Sequence, residues 1–211
     1  MQKTTLYIVR HGQTEWNVQK KMQGHKDSAL TELGESQAQW LYESFNNVEF
    51  DGIYTSSSLR AVRTAEIISG EQKVAIIRSD QLREINLGEW EGQIQEDIEK
   101  KDPERFKSFW ETPHLFKLNS GESFVEVQNR VLPELKAIIS NHIGRNILIV
   151  THTVVVKILM AYFEERALSD IWDPPYIHPT SLCKVVIEED QPFICLHGDI
   201  THYKQQITES Y

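Results

Sequence analysis

Two histidines stand where a side chain can do chemistry. Leu6-Tyr7-Ile8-Val9 is a continuous apolar run that stops at Arg10-His11-Gly12, and Ile147-Leu148-Ile149-Val150 is a second that stops at Thr151-His152. A short apolar run bounded by polar residues is the pattern of a strand buried on both faces. In open α/β sheets ligands bind outside the carboxyl ends of the strands, so both histidines are expected to project into one crevice. Motifs of other chemistries are missing: the ten glycines form no GxGxxG, GxxxxGK or GxSxG, and there is no HExxH. Nicotinamide, P-loop, serine-hydrolase and zinc-protease fingerprints are therefore absent. What remains is Arg10-His11-Gly12-Gln13-Thr14-Glu15-Trp16-Asn17 at the end of the first strand.

Helical segments must hold these strand ends in place. Leu33, Ala38, Leu41 and Phe45 recur at helical spacing after Thr31, a candidate N-cap. Leu59, Ala61, Ala65 and Ile68 mark a second helix, entered through Ser56-Ser57-Ser58. Ser123 and Glu126 form a capping-box pattern ahead of Phe124, Val127, Val131, Leu135 and Ile138, with Pro133 as either a kink or a join between two helices. Val154 to Phe163 is apolar on nearly every side and predicts a buried helix. Further strands are expected at Gly52 to Thr55, Cys183 to Ile187 and Phe193 to Leu196, the last two as a hairpin around Glu188-Glu189-Asp190-Gln191-Pro192. The alternation predicts an α/β three-layer sandwich with a mostly parallel central sheet. We expect one domain over residues 1–211, with the more polar stretch 93–120, which contains Pro103 and Pro113, as an insertion covering the crevice.

Composition narrows the ligand. The 211 residues carry 22 Lys and Arg against 31 Asp and Glu, a net charge of −9. That balance argues against a nucleic-acid or acidic-membrane partner, both of which need a positive footprint. It leaves room for a small anion in a local cationic pocket. No apolar run approaches the ~20 residues that span a bilayer, and Met1-Gln2-Lys3-Thr4-Thr5 leads into the first strand without a signal-peptide core, which predicts a cytoplasmic protein. Cys183 and Cys195 form no CxxC pair, so neither a disulfide framework nor a zinc site is expected, and both thiols are expected to be buried.

The Arg10-to-Asn17 segment resembles the RHGxTxxN signature of the histidine phosphatase superfamily, which includes cofactor-dependent phosphoglycerate mutases and acid-type phosphatases. Five further landmarks match in order and spacing. They are Leu30-Thr31 with Gly34 and Gln37-Ala38; Ser56 with Arg60-Ala61 and Thr64-Ala65; Leu82-Arg83-Glu84 with Gly88 and Trp90-Glu91-Gly92; Gly121-Glu122-Ser123; and Val150-Thr151-His152. Together they cover about residues 5 to 187 and imply a phosphoglycerate mutase-like fold.

The resemblance implies roles. His11 matches the nucleophile that becomes a phosphohistidine, and its ring must be neutral at the attacking nitrogen, with the other N–H held by an acceptor such as a backbone carbonyl. Arg10 and Arg60 can each hold two phosphate oxygens, and His152 and Asn17 add further donors. Glu84 matches the general acid, expected to have a raised pKa; Glu89 and Glu91 are neighbouring carboxylates that could act instead. Gln23 and Gly24 fall where relatives line the substrate pocket. No metal and no other cofactor is required, because two Arg and two His supply the charge stabilisation. Thr153 stands where the family commonly has Gly, and a positive φ there would tilt the pocket. Trp16, Trp90, Phe109 and Trp110 are candidates for an apolar substrate wall or for the core, and Arg63 and Arg83 are expected to be solvated or structural.

Three functions fit this pattern. The first is a metal-independent phosphatase acting on small phosphate monoesters, and the resemblance is strongest to the broad-specificity phosphatase branch. The second is a phosphoglycerate mutase primed by 2,3-bisphosphoglycerate; those enzymes carry Glu-Arg-His-Tyr-Gly around the acid and a downstream Arg-Arg-Ser, whereas this chain has Arg83-Glu84-Ile85-Asn86-Leu87-Gly88 and no Arg-Arg-Ser. The third is a catalytically weak phosphate-binding regulatory module. Monomer and homodimer both stay open, with Cys183 to Ile187 as a candidate edge strand for pairing.

Overall fold

Alternation along the first strand sets the layers. In β1 (Lys3–Arg10), Leu6 and Ile8 face one core with Ile147, Ile149 and Val185, while Tyr7 and Val9 face a second core with Leu148, Val150 and Ile53. A strand that is apolar on both faces must be covered twice. The computed structural model describes residues 3–45 and 48–205; the reading of Met1 and Gln2 as a leaderless start lies outside them.

After β1 come the single turn α1 (Glu15–Val18) and α2 (Glu32–Ser44), which Thr31 caps by accepting from Gly34 N. β2 (Gly52–Ser56) leads into α3 (Leu59–Ser69) and β3 (Ile76–Ser79). Residues 93–120 contribute α4 (Gln95–Lys101) and α5 (Pro103–Glu111). α6 (Phe124–Asn141) opens on the Ser123/Glu126 capping box, and β4 (Asn146–Thr151) runs directly to α7 (Thr153–Phe163). β5 (Leu182–Glu188) and β6 (Gln191–Asp199) form the expected hairpin.

The sheet order is β3-β2-β4-β1-β5-β6, with the first three pairings parallel and the last two antiparallel. α2 and α3 pack on the face of Tyr7 and Val9; α6 and α7 pack on the other, joined by Ile98 of α4 and Phe109 of α5. The result is the mostly parallel three-layer α/β architecture expected from the sequence.

Two local expectations need correction, on β5 and on Cys195, and two points beyond them are settled, on β3 and on Pro133. β3 is a strand the pattern did not disclose, because it is short and half-exposed at the sheet edge. β5 is an interior strand, flanked by β1 and β6, so the free edge on that side belongs to β6. Cys195 lies on that edge and is exposed; only Cys183 is buried, its thiol pushed up to about 12 by burial. α6 runs through Pro133 as one helix and not as two joined ones. Among the described residues, no helix is long and apolar enough to cross a membrane.

Candidate active site

Sheet register brings the two histidines together. β1 and β4 pair in parallel with Arg10 opposite Thr151, so the next residue on each strand, His11 and His152, must be neighbours. The His11 N–H donates to the Thr151 carbonyl at 2.9 Å, and the two rings lie 5.1 Å apart. β2 lies on the other side of β4 and ends at Ser56, whose hydroxyl is 2.8 Å from His152 Nε2. The chain then enters α3, whose first turn carries Arg60. β3 ends at Ser79, and the 3-10 turn Asp80–Leu82 leads to Glu84. Four parallel strands thus deliver their carboxyl ends to one place, as doubly wound sheets do.

A cavity of about 340 Å³ opens there, lined by Arg10, His11, Asn17, Gln23, Gly24, Arg60 and Glu84. His152 is fully buried against His11 and is not part of the cavity surface.

The electrostatics of His11 are set by three contacts. Its Nδ1 is 2.7 Å from the Gly12 carbonyl. A carbonyl only accepts, so Nδ1 carries the proton and Nε2 keeps its lone pair. That nitrogen accepts from Arg60 Nε at 3.3 Å. Burial, then Arg60 and Arg10, hold the ring's pKa well below the usual histidine value, so the neutral form persists at neutral pH. His152 is held down in the same way by burial, Arg60, His11 and Arg10. Its Nδ1 and Arg10 Nε are buried with no protein partner among the described residues. Buried polar atoms of this kind are rare unless a ligand or water meets them. Gly12 is required by close approach: a Cβ there would lie 2.4 Å from the Gly34 carbonyl oxygen.

Arg60 is fixed by a loop from a distant part of the chain. Its Nη1 donates to Lys26 O and Asp27 Oδ1, each at 2.9 Å, and its Nη2 to Gly24 O at 2.9 Å. Asp27 also accepts from Leu59 N, supplying the N-terminal cap that Ser58 does not give α3. Gly24 has φ +56°, and a Cβ there would sit 2.2 Å from Glu91 Oε1. The Glu91 carboxylate accepts from His25 N at 2.7 Å, Lys26 N at 3.0 Å and Leu87 N at 3.1 Å. Gln23 spends its amide on Thr14 Oγ1 and, at 2.9 Å, on Ser28 Oγ. The carboxamide oxygen of Asn17 accepts from Thr14 N and Oγ1, both at 3.0 Å, which leaves its NH₂ to donate.

Glu84 borders the cavity but is enclosed by protein. Burial raises its pKa, against hydrogen bonds from Ile85 N (3.0 Å) and Val154 N (3.2 Å) and the charges of Arg60 and Arg10. The neighbouring carboxylates are otherwise engaged: Glu89 is paired at the surface with Arg105 at 3.1 Å, and Glu91 holds the Gly24 loop. Thr153 lines the cavity as the first residue of α7 and does not have a positive φ.

Phe109 and Trp110 line the cavity, whereas Trp90 belongs to the core and Trp16 is off the wall. Arg63 pairs with Glu35 at 2.8 Å and Arg83 donates to His25 O at 3.0 Å, both structural. Unanticipated lining residues include Lys21, Lys157, Trp172, Tyr176 and Ile177. Lys157 had a signal, as the lone charge in an apolar helix; the loop residues had none. Among the described residues no group of three His, Cys, Asp or Glu is arranged to hold a metal ion.

The profile of the histidine phosphatase superfamily (branch 1) matches residues 6–200. Phosphoserine phosphatase 1 of Hydrogenobacter thermophilus is 33% identical over 167 residues, 79% of each chain. Phosphoglycerate mutase-like protein 4 of Arabidopsis thaliana is 31% identical over 204 residues, 95% of this chain and 87% of that one. Among solved structures, Bacillus stearothermophilus YhfR has a TM-score of 0.91 at 44% identity, over 94% of this chain and 98% of that one.

Proposed function

This chain belongs to the histidine phosphatase superfamily, and from that premise we propose that it is a metal-independent phosphatase of small phosphate monoesters. The observation that carries the reading is the state of His11: proton on Nδ1, lone pair on Nε2, neutral, and in one cavity with Glu84. Arg10, Arg60 and the Asn17 amide receive the phosphoryl oxygens, with the buried His152 packed behind His11, in place of the magnesium used by other phosphoryl-transfer sites.

As Arg60 Nε turns its N–H from His11 Nε2 to a phosphoryl oxygen, Nε2 attacks phosphorus and the bond to the ester oxygen breaks. Protonated Glu84 gives its proton to the departing alkoxide. Glu84, now a carboxylate, takes a proton from water as that water attacks phosphorus and the P–N bond breaks. Phosphate leaves with His11 neutral and Glu84 protonated, as at the start. Gln23 and Gly24 shape the pocket through Thr14 and Arg60.

The mutase is the second reading, favoured by the mutase-like relative. Against it, Glu84 is followed by Ile85-Asn86-Leu87 in place of the Arg-His-Tyr of those mutases, and the chain has no Arg-Arg-Ser. The test is a panel of phosphate esters assayed in EDTA, including 3-phosphoglycerate with and without 2,3-bisphosphoglycerate. Phosphate release without mutase flux is the expected result. Primer-dependent flux reverses the order, and no turnover of any ester leaves only the regulatory module.

A further inference from the structure

Lys157 has no part in that mechanism, yet it lines the same cavity as His11. It lies on α7 four residues after Thr153 and three after Val154, hence on their face of the helix and about one turn deeper. Its Nζ donates to Asp173 O at 2.6 Å and Pro175 O at 2.8 Å. An ammonium has three donors, so one N–H is left over. No carboxylate oxygen lies within 4.0 Å of it among the described residues; Glu164, just past the end of the same helix, is engaged by Arg166 at 3.0 Å and His197 at 2.9 Å. The cavity it lines also carries an apolar wall that includes Phe109, Trp110, Trp172 and Ile177.

A charge taken from water into such a wall is costly unless something pairs with it. Burial, with Arg166 adding to it, brings the Lys157 pKa down to about 8 against Glu164, Cys183 and Asp173, so the group is still mainly an ammonium at neutral pH. Lys21, the other lysine on the cavity wall, is only half-buried and stands 5.8 Å from the Trp16 ring, where water can hydrate it.

We infer that Lys157 is an anion subsite for the alcohol half of the substrate, selecting phosphate monoesters whose leaving group joins an apolar body to a carboxylate. The inference rests on the phosphatase reading, which assigns the other end of the cavity to the phosphoryl group. The rival account is that Lys157 only clips the loop from Asp173 to Ile177, whose last carbonyl accepts from Arg10 Nη1 at 2.7 Å.

Binding of two non-hydrolysable ligands, phenylphosphonate and 4-carboxyphenylphosphonate, separates these accounts. The measurement is made on the wild type, Lys157→Met and Lys157→Arg, alongside kcat/KM for the corresponding phosphates. The wild type is expected to bind the carboxylate ligand about tenfold tighter, roughly the worth of one well-placed ion pair. Lys157→Met loses that preference while phenylphosphonate affinity changes little, and Lys157→Arg keeps part of it. No preference in the wild type, or equal loss of both ligands in Lys157→Met, overturns the subsite. An intact phosphonate preference with no turnover of either phosphate overturns the phosphatase reading and leaves the subsite standing.

Discussion

The two ends of the cavity are built by different means. At the phosphate end, Arg10, His11 and His152 sit at or just beyond the carboxyl ends of two parallel strands, where backbone register fixes them as neighbours, and Arg60 is tied to them by a dense set of hydrogen bonds. At the other end, the wall comes from α5, α7 and the loop around Trp172 to Ile177, where side chains meet without any shared hydrogen-bond ladder. Charge follows the same division: Arg10, Arg60 and Glu84 crowd the histidines, whereas the aromatic wall has a single buried ammonium. Under the proposed function, chemistry is tied to the part of the fold held by the strand ends and selectivity to a part that can vary without disturbing it. Substitutions should therefore separate into those that slow every ester and those that reorder the esters.

The largest separation is expected from His11→Ala. Turnover of all esters should fall about 10⁴-fold or more, as when a nucleophile is removed from a concerted site, while far-ultraviolet circular dichroism stays native. Residual activity above a few per cent overturns the nucleophile assignment. Glu84→Gln comes next, with a loss of about 10²- to 10³-fold in kcat/KM for alkyl esters and much less in kcat/KM for 4-nitrophenyl phosphate, whose leaving group needs no proton, while kcat falls for both because the same carboxylate activates water in the second step. Since the acid must start protonated and its pKa is raised, the wild type should lose activity as pH rises through that value, and Glu84→Gln should lack this alkaline limb. Stability has its own sign. A folded pKa above the unfolded one favours folding below the unfolded value and is lost as pH rises through the folded value, so Glu84→Gln should melt higher than the wild type at pH 8 and not at pH 4.

How much of this was legible depends on the range over which each determinant acts. The strands ending at His11 and His152, the Thr31 cap and the Ser123/Glu126 box are written within a few residues, and local patterns disclose them. The resemblance points to Arg60 and Glu84 but not to what holds them. Asp27 reaches 33 residues to Arg60, and Glu91 reaches 66 residues to His25 N; no periodicity announces such contacts. The edge position of β6 escapes for a related reason, because strand order is decided by crossovers and not by local pattern, while β3 is too short and too exposed to leave one.

Gly24→Ala tests whether the phosphate end is as stiff as its hydrogen bonds suggest. The new Cβ collides with the Glu91 carboxylate and the backbone is held at positive φ, so the loop must give way. A loss of about 2 kcal/mol or more in urea unfolding is expected. Because Gly24 O anchors Arg60, KM should rise for every ester by a similar factor. A rise confined to aromatic esters would mean that the two ends are mechanically joined and that phosphate binding and selectivity do not divide between them.

Trp110→Ala is the mildest and most selective of the set. The ring is 38% exposed and packs edge-on against Phe109 at 4.8 Å and tilted against Trp172 at 4.7 Å. Its removal should cost about 1 kcal/mol of stability, in the range of an aromatic pair. If roughly 40 Å² of a phenyl ester is covered by this ring, about 1 kcal/mol of binding goes with it, a rise in KM near fivefold. Glycerol phosphate, which has little apolar surface to cover, should keep its KM, and kcat for both should be unchanged because the indole has no part in the chemistry at His11 and Glu84. The informative quantity is the ratio of the two KM values: a fivefold change places discrimination in the aromatic wall, whereas a fall in kcat for both esters would show that α5 helps to hold the strand ends.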